Sequence, residues 1–246
     1  MKVLSWNIRQ GGGRRLDVIV DAIAGHQPDL VVVNELRART APTLVAALQA
    51  RGLTFHEHTS PTGSENGMLI ASRLPLRSLS SGSRTRRLRR GFLEVDVAGW
   101  AVVGAVYGPL GRKPTRAFWN RLVRHATTRA GEPYLLIGDF NTGESRVDAY
   151  KIMAGSDQLL AIRAAGFVDL WRARNSVTEY TWFSFGRGGL PLNGFRIDHA
   201  FASTPLANDA ARCYYSHAER EARLSDHSVL LVEFTAAEPT TQPARR

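Results

Sequence analysis

The chain has 246 residues, 43% of them hydrophobic and 22% charged, which suits a globular protein of one large domain or two small ones. Its formal charge of +10, from 32 Lys and Arg against 22 Asp and Glu, makes polyanions the expected partners, nucleic acid first and an anionic membrane surface second. The single cysteine, Cys213, excludes an internal disulfide, no apolar run could span a bilayer, and the N-terminal run is too short for a signal peptide, so a cytoplasmic protein is expected.

Taken in chain order, strands and helices alternate. Met1 to Ile8 reads as a strand closing on Gly11-Gly12-Gly13, and Leu16, Ile19, Val20 and Ile23 fall at helical spacing over Leu16 to Ala24. Leu30-Val31-Val32-Val33, after Pro28, is apolar throughout, as in a strand covered on both faces, and it ends on Asn34-Glu35. A helix follows Pro42 and runs to about Ala50. Strands are expected over Met68 to Ala71, Phe92 to Val97 and Trp100 to Tyr107. The next helix starts at Pro114, followed by a strand at Tyr134 to Ile137 and a helix at Asp157 to Ala165. Strands at Arg196 to Ala202 and Ser228 to Phe234 complete a domain spanning 1–235, and the composition of 236–246 suggests a disordered tail.

Polar groups recur at the ends of these strands: Asn7, Glu35, Tyr107, Asp139 with Asn141, Asp198, and Asp226 with His227. One acidic residue at such a place is ordinarily a cap or turn former. Together they mark the strand-end loops on which α/β architectures assemble sites.

The motifs carrying these residues are Ser5-Trp6-Asn7-Ile8, His26-Gln27-Pro28-Asp29 leading to Glu35, Val106-Tyr107-Gly108-Pro109, Gly138-Asp139-Phe140-Asn141, Arg196-Ile197-Asp198-His199 and Ser225-Asp226-His227. In this order, from Val3 to about Phe234, the chain resembles the endonuclease/exonuclease/phosphatase superfamily, and within it the exonuclease III type of abasic-site endonuclease. The resemblance implies a four-layer α/β/β/α sandwich, two packed mixed sheets flanked by helices. It also implies a metal-dependent phosphodiesterase acting on DNA, by abasic-site incision or 3′-exonuclease trimming. Different readings are the same chemistry on an inositol phosphate or sphingomyelin head group, and a catalytically silent nucleic-acid-binding protein on the same fold.

Phosphodiester hydrolysis needs charge neutralised and a water aligned. Magnesium is the expected ion because it prefers hard oxygen ligands, with manganese as a substitute. Glu35 is the expected principal ligand, with Asn7 close by and Asp226 either completing the shell or reaching a second ion. Asp139 is the expected general base, with Asn141 holding the water or a phosphate oxygen. His227, oriented by Asp198, would donate to a non-bridging oxygen, and Tyr107 would bond the phosphate. Arg9, Leu110 and Asn34 depart from the family pattern, Asn34 replacing the more usual glutamine before the metal-binding glutamate.

The segment with Tyr180-Thr181-Trp182 and Phe195-Arg196-Ile197 is similar to the stretch with which abasic endonucleases recognise DNA. It implies Trp182 and Phe195 as pocket walls, with Ile197 and Arg196 beside them, while Arg112 and Arg187 are candidate phosphate contacts by charge, together with Lys113. The basic run Arg84 to Arg90 is either a phosphate-tracking segment or a solvated loop. A monomer without an obligate protein partner is expected. His26, His56, His58, His125 and His217 lack metal-ligand spacing and read as surface or turn residues, and Cys213 as buried packing.

Overall fold

Strand runs that are apolar at every position need cover on both faces. In the computed structural model, which describes residues 1–59, 61–79, 91–110, 113–185 and 191–235, they receive it. The elements in order are β1 (Lys2–Asn7), α1 (Leu16–Gly25), β2 (Leu30–Leu36), α2 (Ala41–Ala50), β3 (Phe55–His58), β4 (Gly67–Ser72) and β5 (Leu76–Ser78). Next come β6 (Phe92–Val97), β7 (Ala101–Tyr107), α3 (Lys113–Arg129), β8 (Tyr134–Asp139), α4 (Ser156–Ala164) and β9 (Phe167–Asp169). The chain continues through β10 (Trp182–Phe185), β11 (Pro191–Phe195), β12 (Asp198–Ser203), α5 (Thr204–Ala207), β13 (Ala210–Ser216), α6 (Ala218–Glu221) and β14 (Val229–Phe234).

Two six-stranded sheets form, ordered β13-β14-β1-β2-β4-β3 and β5-β6-β7-β8-β12-β9, with β10-β11 a separate hairpin. Each is mixed, since β1 runs parallel to β2 and β7 to β8 while their other neighbours are antiparallel. Side chains alternate across each strand. Val3, Leu30, Val32, Leu230 and Val232 of the first sheet pack against Val95, Val103, Leu135 and Ile137 of the second. The opposite faces, Leu4, Val31, Val33 and Leu231 on one side and Tyr134 and Leu136 on the other, lie under α1 with α2 and under α3 with α4. The architecture is therefore the α/β/β/α sandwich.

Strands β3, β5, β9 and β13 were not expected from the sequence. The first three are short, and β13 carries Arg212 on an edge position beside β14. His125 corrects another expectation. It is 8% exposed, and its Nε2 lies 2.7 Å from Glu94 Oε1 between α3 and β6. Cys213 is buried as expected, and burial pushes its thiol far above the usual range. Among the described residues no helix is long and apolar enough to cross a membrane. The basic run at 84–90 and the tail at 236–246 lie outside the described residues.

Candidate active site

At the end of β1 the chain enters a left-handed turn: Arg9, Gln10, Gly11, Gly12 and Gly13 all have φ between 52 and 73°. Residues with a Cβ resist this conformation, and the glycine triplet permits it. A Cβ on Gly11 would also sit 2.8 Å from Arg37 Cβ. The turn aims two main-chain amides at the site, Arg9 N–H to Asn7 Oδ1 at 2.9 Å and Gln10 N–H to Glu35 Oε2 at 2.7 Å. The Ser225-Asp226-His227 loop is fastened to the same place. Ser225 Oγ donates to Asn7 O at 2.5 Å, Trp6 Nε1 to His227 O at 3.1 Å, and the Arg15 guanidinium to Leu224 O.

Strand β2 ends in a bulge between Asn34 and Leu36, with Glu35 at φ 63°. Such a bulge re-aims side chains. Asn34 turns into the space between the sheets, where Nδ2 donates to Val106 O at 2.9 Å and Oδ1 accepts from Asp139 N–H at 3.0 Å. Glu35 turns to the site, where Oε1 accepts from Asn7 Nδ2 and from Tyr107 Oη, each at 3.2 Å. Asn66, which the sequence did not single out, donates to Tyr107 Oη at 2.9 Å.

Asp139 ends β8 and is 1% exposed. Gly138 before it has φ 146°, and a Cβ there would overlap the main chain of Val106. Asp139 Oδ2 accepts from Asn7 Nδ2 at 2.9 Å and Oδ1 from Asn141 N–H at 2.8 Å. Asn141 in turn donates Nδ2–H to Gly108 O at 2.8 Å, so in this arrangement it fixes the carboxylate and the neighbouring loop. Burial raises the Asp139 carboxyl above the usual range, against the opposing pull of His227.

His227 is 5% exposed, with Nδ1 2.9 Å from Asp198 Oδ2 and Nε2 3.9 Å from Asp139 Oδ2. Burial alone would deprotonate the ring, but Asp198 and then Asp139 outweigh it and hold His227 as a cation well above the usual imidazole range. Asp198 is held too, its carbonyl accepting from Tyr215 Oη at 2.7 Å.

The structure thus brings Asn7, Glu35, Tyr107, Asp139, Asn141, Asp198 and His227 together. Asp226 stands at the rim, with Oδ2 3.3 Å from Trp182 Nε1 and 4.0 Å from Arg9 Nε. Trp182 packs on Phe195 at 5.5 Å between ring centres, but Phe195 and Ile197 are only 4% and 6% exposed and form a floor beneath that rim rather than free walls. Arg196 needs correction as a substrate contact. Its side chain is 1% exposed, and its guanidinium bonds Asp148 at 2.7 and 3.0 Å and Asp169 at 2.6 and 3.2 Å. It stacks over Trp171, so no donor reaches the surface. Arg112 and Arg187 lie outside the described residues.

The donor set fits a hard divalent cation. Asn7 turns its amide nitrogen toward Glu35 Oε1 and Asp139 Oδ2, so a partial positive charge already stands between the two carboxylates. Asn7 would have to reverse its amide to offer oxygen to an ion. Asp139, Asp198 and His227 have ligand atoms within 4.8 Å of one another. The His227 cation is tied to Asp198, however, and two carboxylates, Glu35 and Asp139, are the better oxygen donors.

Asn34 joins main-chain groups of β7 and β8 to β2, leaving the catalytic side chains free. Asn34→Leu orphans both partners and should lower kcat by roughly five- to a hundredfold, the equivalent of about 1–3 kcal/mol for a lost buried hydrogen bond. Comparing its kcat with that of Val32→Ala, a core variant of the same strand, checks this.

The family model described as Endonuclease/Exonuclease/phosphatase family matches residues 4–227. An AP endonuclease from Archaeoglobus fulgidus is similar in structure, with TM-score 0.81 and 21% identity over 96% of this chain and 100% of that one. The 3′ phosphatase NExo from Neisseria, bound to product DNA hairpin, gives TM-score 0.79 and 23% identity over 96% and 100% of the chains. The 3′-5′ exonuclease NExo from Neisseria meningitidis gives 0.76 and 24% over 95% and 99%. At these identities the likeness is one of fold. No curated protein sequence matches the chain.

Proposed function

From the premise that the chain belongs to the Endonuclease/Exonuclease/phosphatase family, and is a metal-dependent hydrolase, we propose that it cleaves phosphodiester bonds of DNA using magnesium, with manganese able to substitute. One observation carries the reading: a buried carboxylate, Asp139, faces an imidazolium, His227, across the junction of two sheets, with Glu35 beside them.

The roles follow from protonation and reach. Asp139, whose burial raises its basicity, takes the proton of the attacking water, and Asn141 N–H and Asn7 Nδ2–H fix its orientation. His227 offers Nε2–H to a non-bridging phosphate oxygen, its Nδ1 held by Asp198. Glu35, aimed by the bulge, would hold the divalent cation, with Asn7 close by and Asp226 at the rim. When bound, that ion supplies charge neutralisation at the phosphate and at the departing oxygen. Tyr107, whose one O–H goes to Glu35 here, would bond the phosphate by turning that proton from Glu35 to the substrate. Trp182 contributes an apolar face at the rim, above the Phe195 and Ile197 floor.

A panel of abasic, nicked and intact duplexes, single strands, RNA and inositol phosphates, each with magnesium and with chelator, tests the reading. Cleavage of DNA that chelator abolishes is the expected result. Turnover of inositol phosphate alone, or DNA binding without turnover, would replace it with a different reading. With a charge of +10, DNA affinity should fall steeply as salt rises. Fluorescence anisotropy across a salt series measures the slope, and a flat line would remove the basic surface from the docking face.

A further inference from the structure

The loop from Arg146 to Met153 combines rigidity with exposed apolar surface. Val147, Tyr150 and Ile152 are 40%, 62% and 73% exposed, while Asp148 and Ala149 between them are 1% and 3%. Asp148 is locked by Arg196 and by Arg172, and its carbonyl accepts from Arg196 N–H at 2.8 Å. Ala149 bridges to Phe195, and Met153 N–H donates to Ser145 Oγ at 2.9 Å. A loop pinned on its inner side and apolar on its outer side is already organised for a partner.

Its position says which partner. A row of rings leads away from the catalytic rim: Trp182 bonds Asp226, Phe195 packs on Trp182, and Tyr150 meets Phe195 edge-on at 6.0 Å. Lys151 Nζ lies 4.9 Å above the Phe195 ring, and Arg146 and Lys151 are exposed on either side of Tyr150. Cations flanking an exposed ring, continuous with a phosphodiester site, suit an anionic polymer that carries flat aromatic groups. A base inside a duplex is already stacked and cannot use the ring. An unpaired base can.

Building on the DNA-cleavage reading above, we propose that Tyr150 is a stacking platform for an unpaired nucleotide next to the scissile phosphate, with Lys151 and Arg146 contacting its backbone. The enzyme then prefers substrates with an unpaired nucleotide at the cleavage point over fully paired nicks.

The test is competitive cleavage by the magnesium-loaded full chain of two labelled DNAs of equal sequence, one with a paired nick and one with a single unpaired nucleotide there. The wild type should favour the unpaired substrate about tenfold, in keeping with the worth of one aromatic–base stack. Tyr150→Phe should keep that ratio, Tyr150→Ala should bring it close to one, and Val18→Ala, exposed on α1, should leave it alone. A 2-aminopurine at the unpaired position should lose fluorescence on binding the wild type and keep it with Tyr150→Ala. A ratio near one in the wild type, or one unmoved by Tyr150→Ala, overturns the inference while leaving DNA cleavage standing. So does a Tyr150-dependent dimer with an unchanged ratio, which would assign the surface to a second copy. A wild type inert on every DNA overturns both.

Discussion

Asp139→Asn should lower single-turnover cleavage by about two to four orders of magnitude, the usual contribution of a positioned general base. DNA affinity should stay within a few fold. The substitution keeps the size of the side chain and an oxygen for Asn141 N–H, so the loop at Gly108 has no reason to move. It removes the basic oxygen that faces the site from the end of β8. Anisotropy on uncleaved DNA and quench-flow rates separate binding from chemistry. A variant that cleaves at a near-normal rate would strip Asp139 of the role of base and leave it holding structure.

The second large effect concerns stability. Arg196→Met leaves Asp169 buried without its cation and Asp148 with Arg172 alone, and breaking such a buried pair costs about 3–5 kcal/mol. Urea unfolding at pH 7 measures it, and a loss under about 1 kcal/mol would contradict the burial argument. The pH dependence has a definite sign. For Asp148 and Asp169 burial favours the neutral acid, but it is outweighed, by His199 with Arg196 at Asp148 and by Arg196 at Asp169, so both lie below the ordinary 3.8. Their stabilisation is therefore complete above that value and lost as pH falls through the depressed folded values. The gap between wild type and variant should be widest near neutrality and close in acid.

Much of this was readable in the chain because sheet burial is two-sided. Leu30 to Val33 and Tyr134 to Ile137 are apolar at every position, since alternate residues serve different cores. A polar group after such a run is conspicuous, which is why Asn7, Glu35 and Asp139 stood out, while His227 did so just ahead of β14. Strand β3 did not, because Phe55-His56-Glu57-His58 is a short edge with one paired side and mixed polarity. Asn34 registered only as a departure from glutamine, since its partners on β7 and β8 lie 72 and 105 residues away. Arg196 was misjudged for a related reason. Within a stretch similar to a DNA-recognition segment it read as a substrate contact, and nothing local announced that Asp148 and Asp169 close over it. Tyr150 carried no signal, because an exposed aromatic becomes informative only when its neighbours are known to be fixed.

The cradle for the reaction is divided between two sheets, and the chain builds them unequally. The first sheet takes its strands from both ends of the polypeptide and the second from the middle. Asp226 and His227 arrive just ahead of β14, after every other group in the cavity has been synthesised. A chain cut short before Asp226 would lack both the rim carboxylate and the imidazolium, so the set at the junction of the sheets closes only with the C-terminal stretch. Completion of the site is thereby tied to completion of the first sheet, whose strand β14 follows His227 closely and pairs with β1.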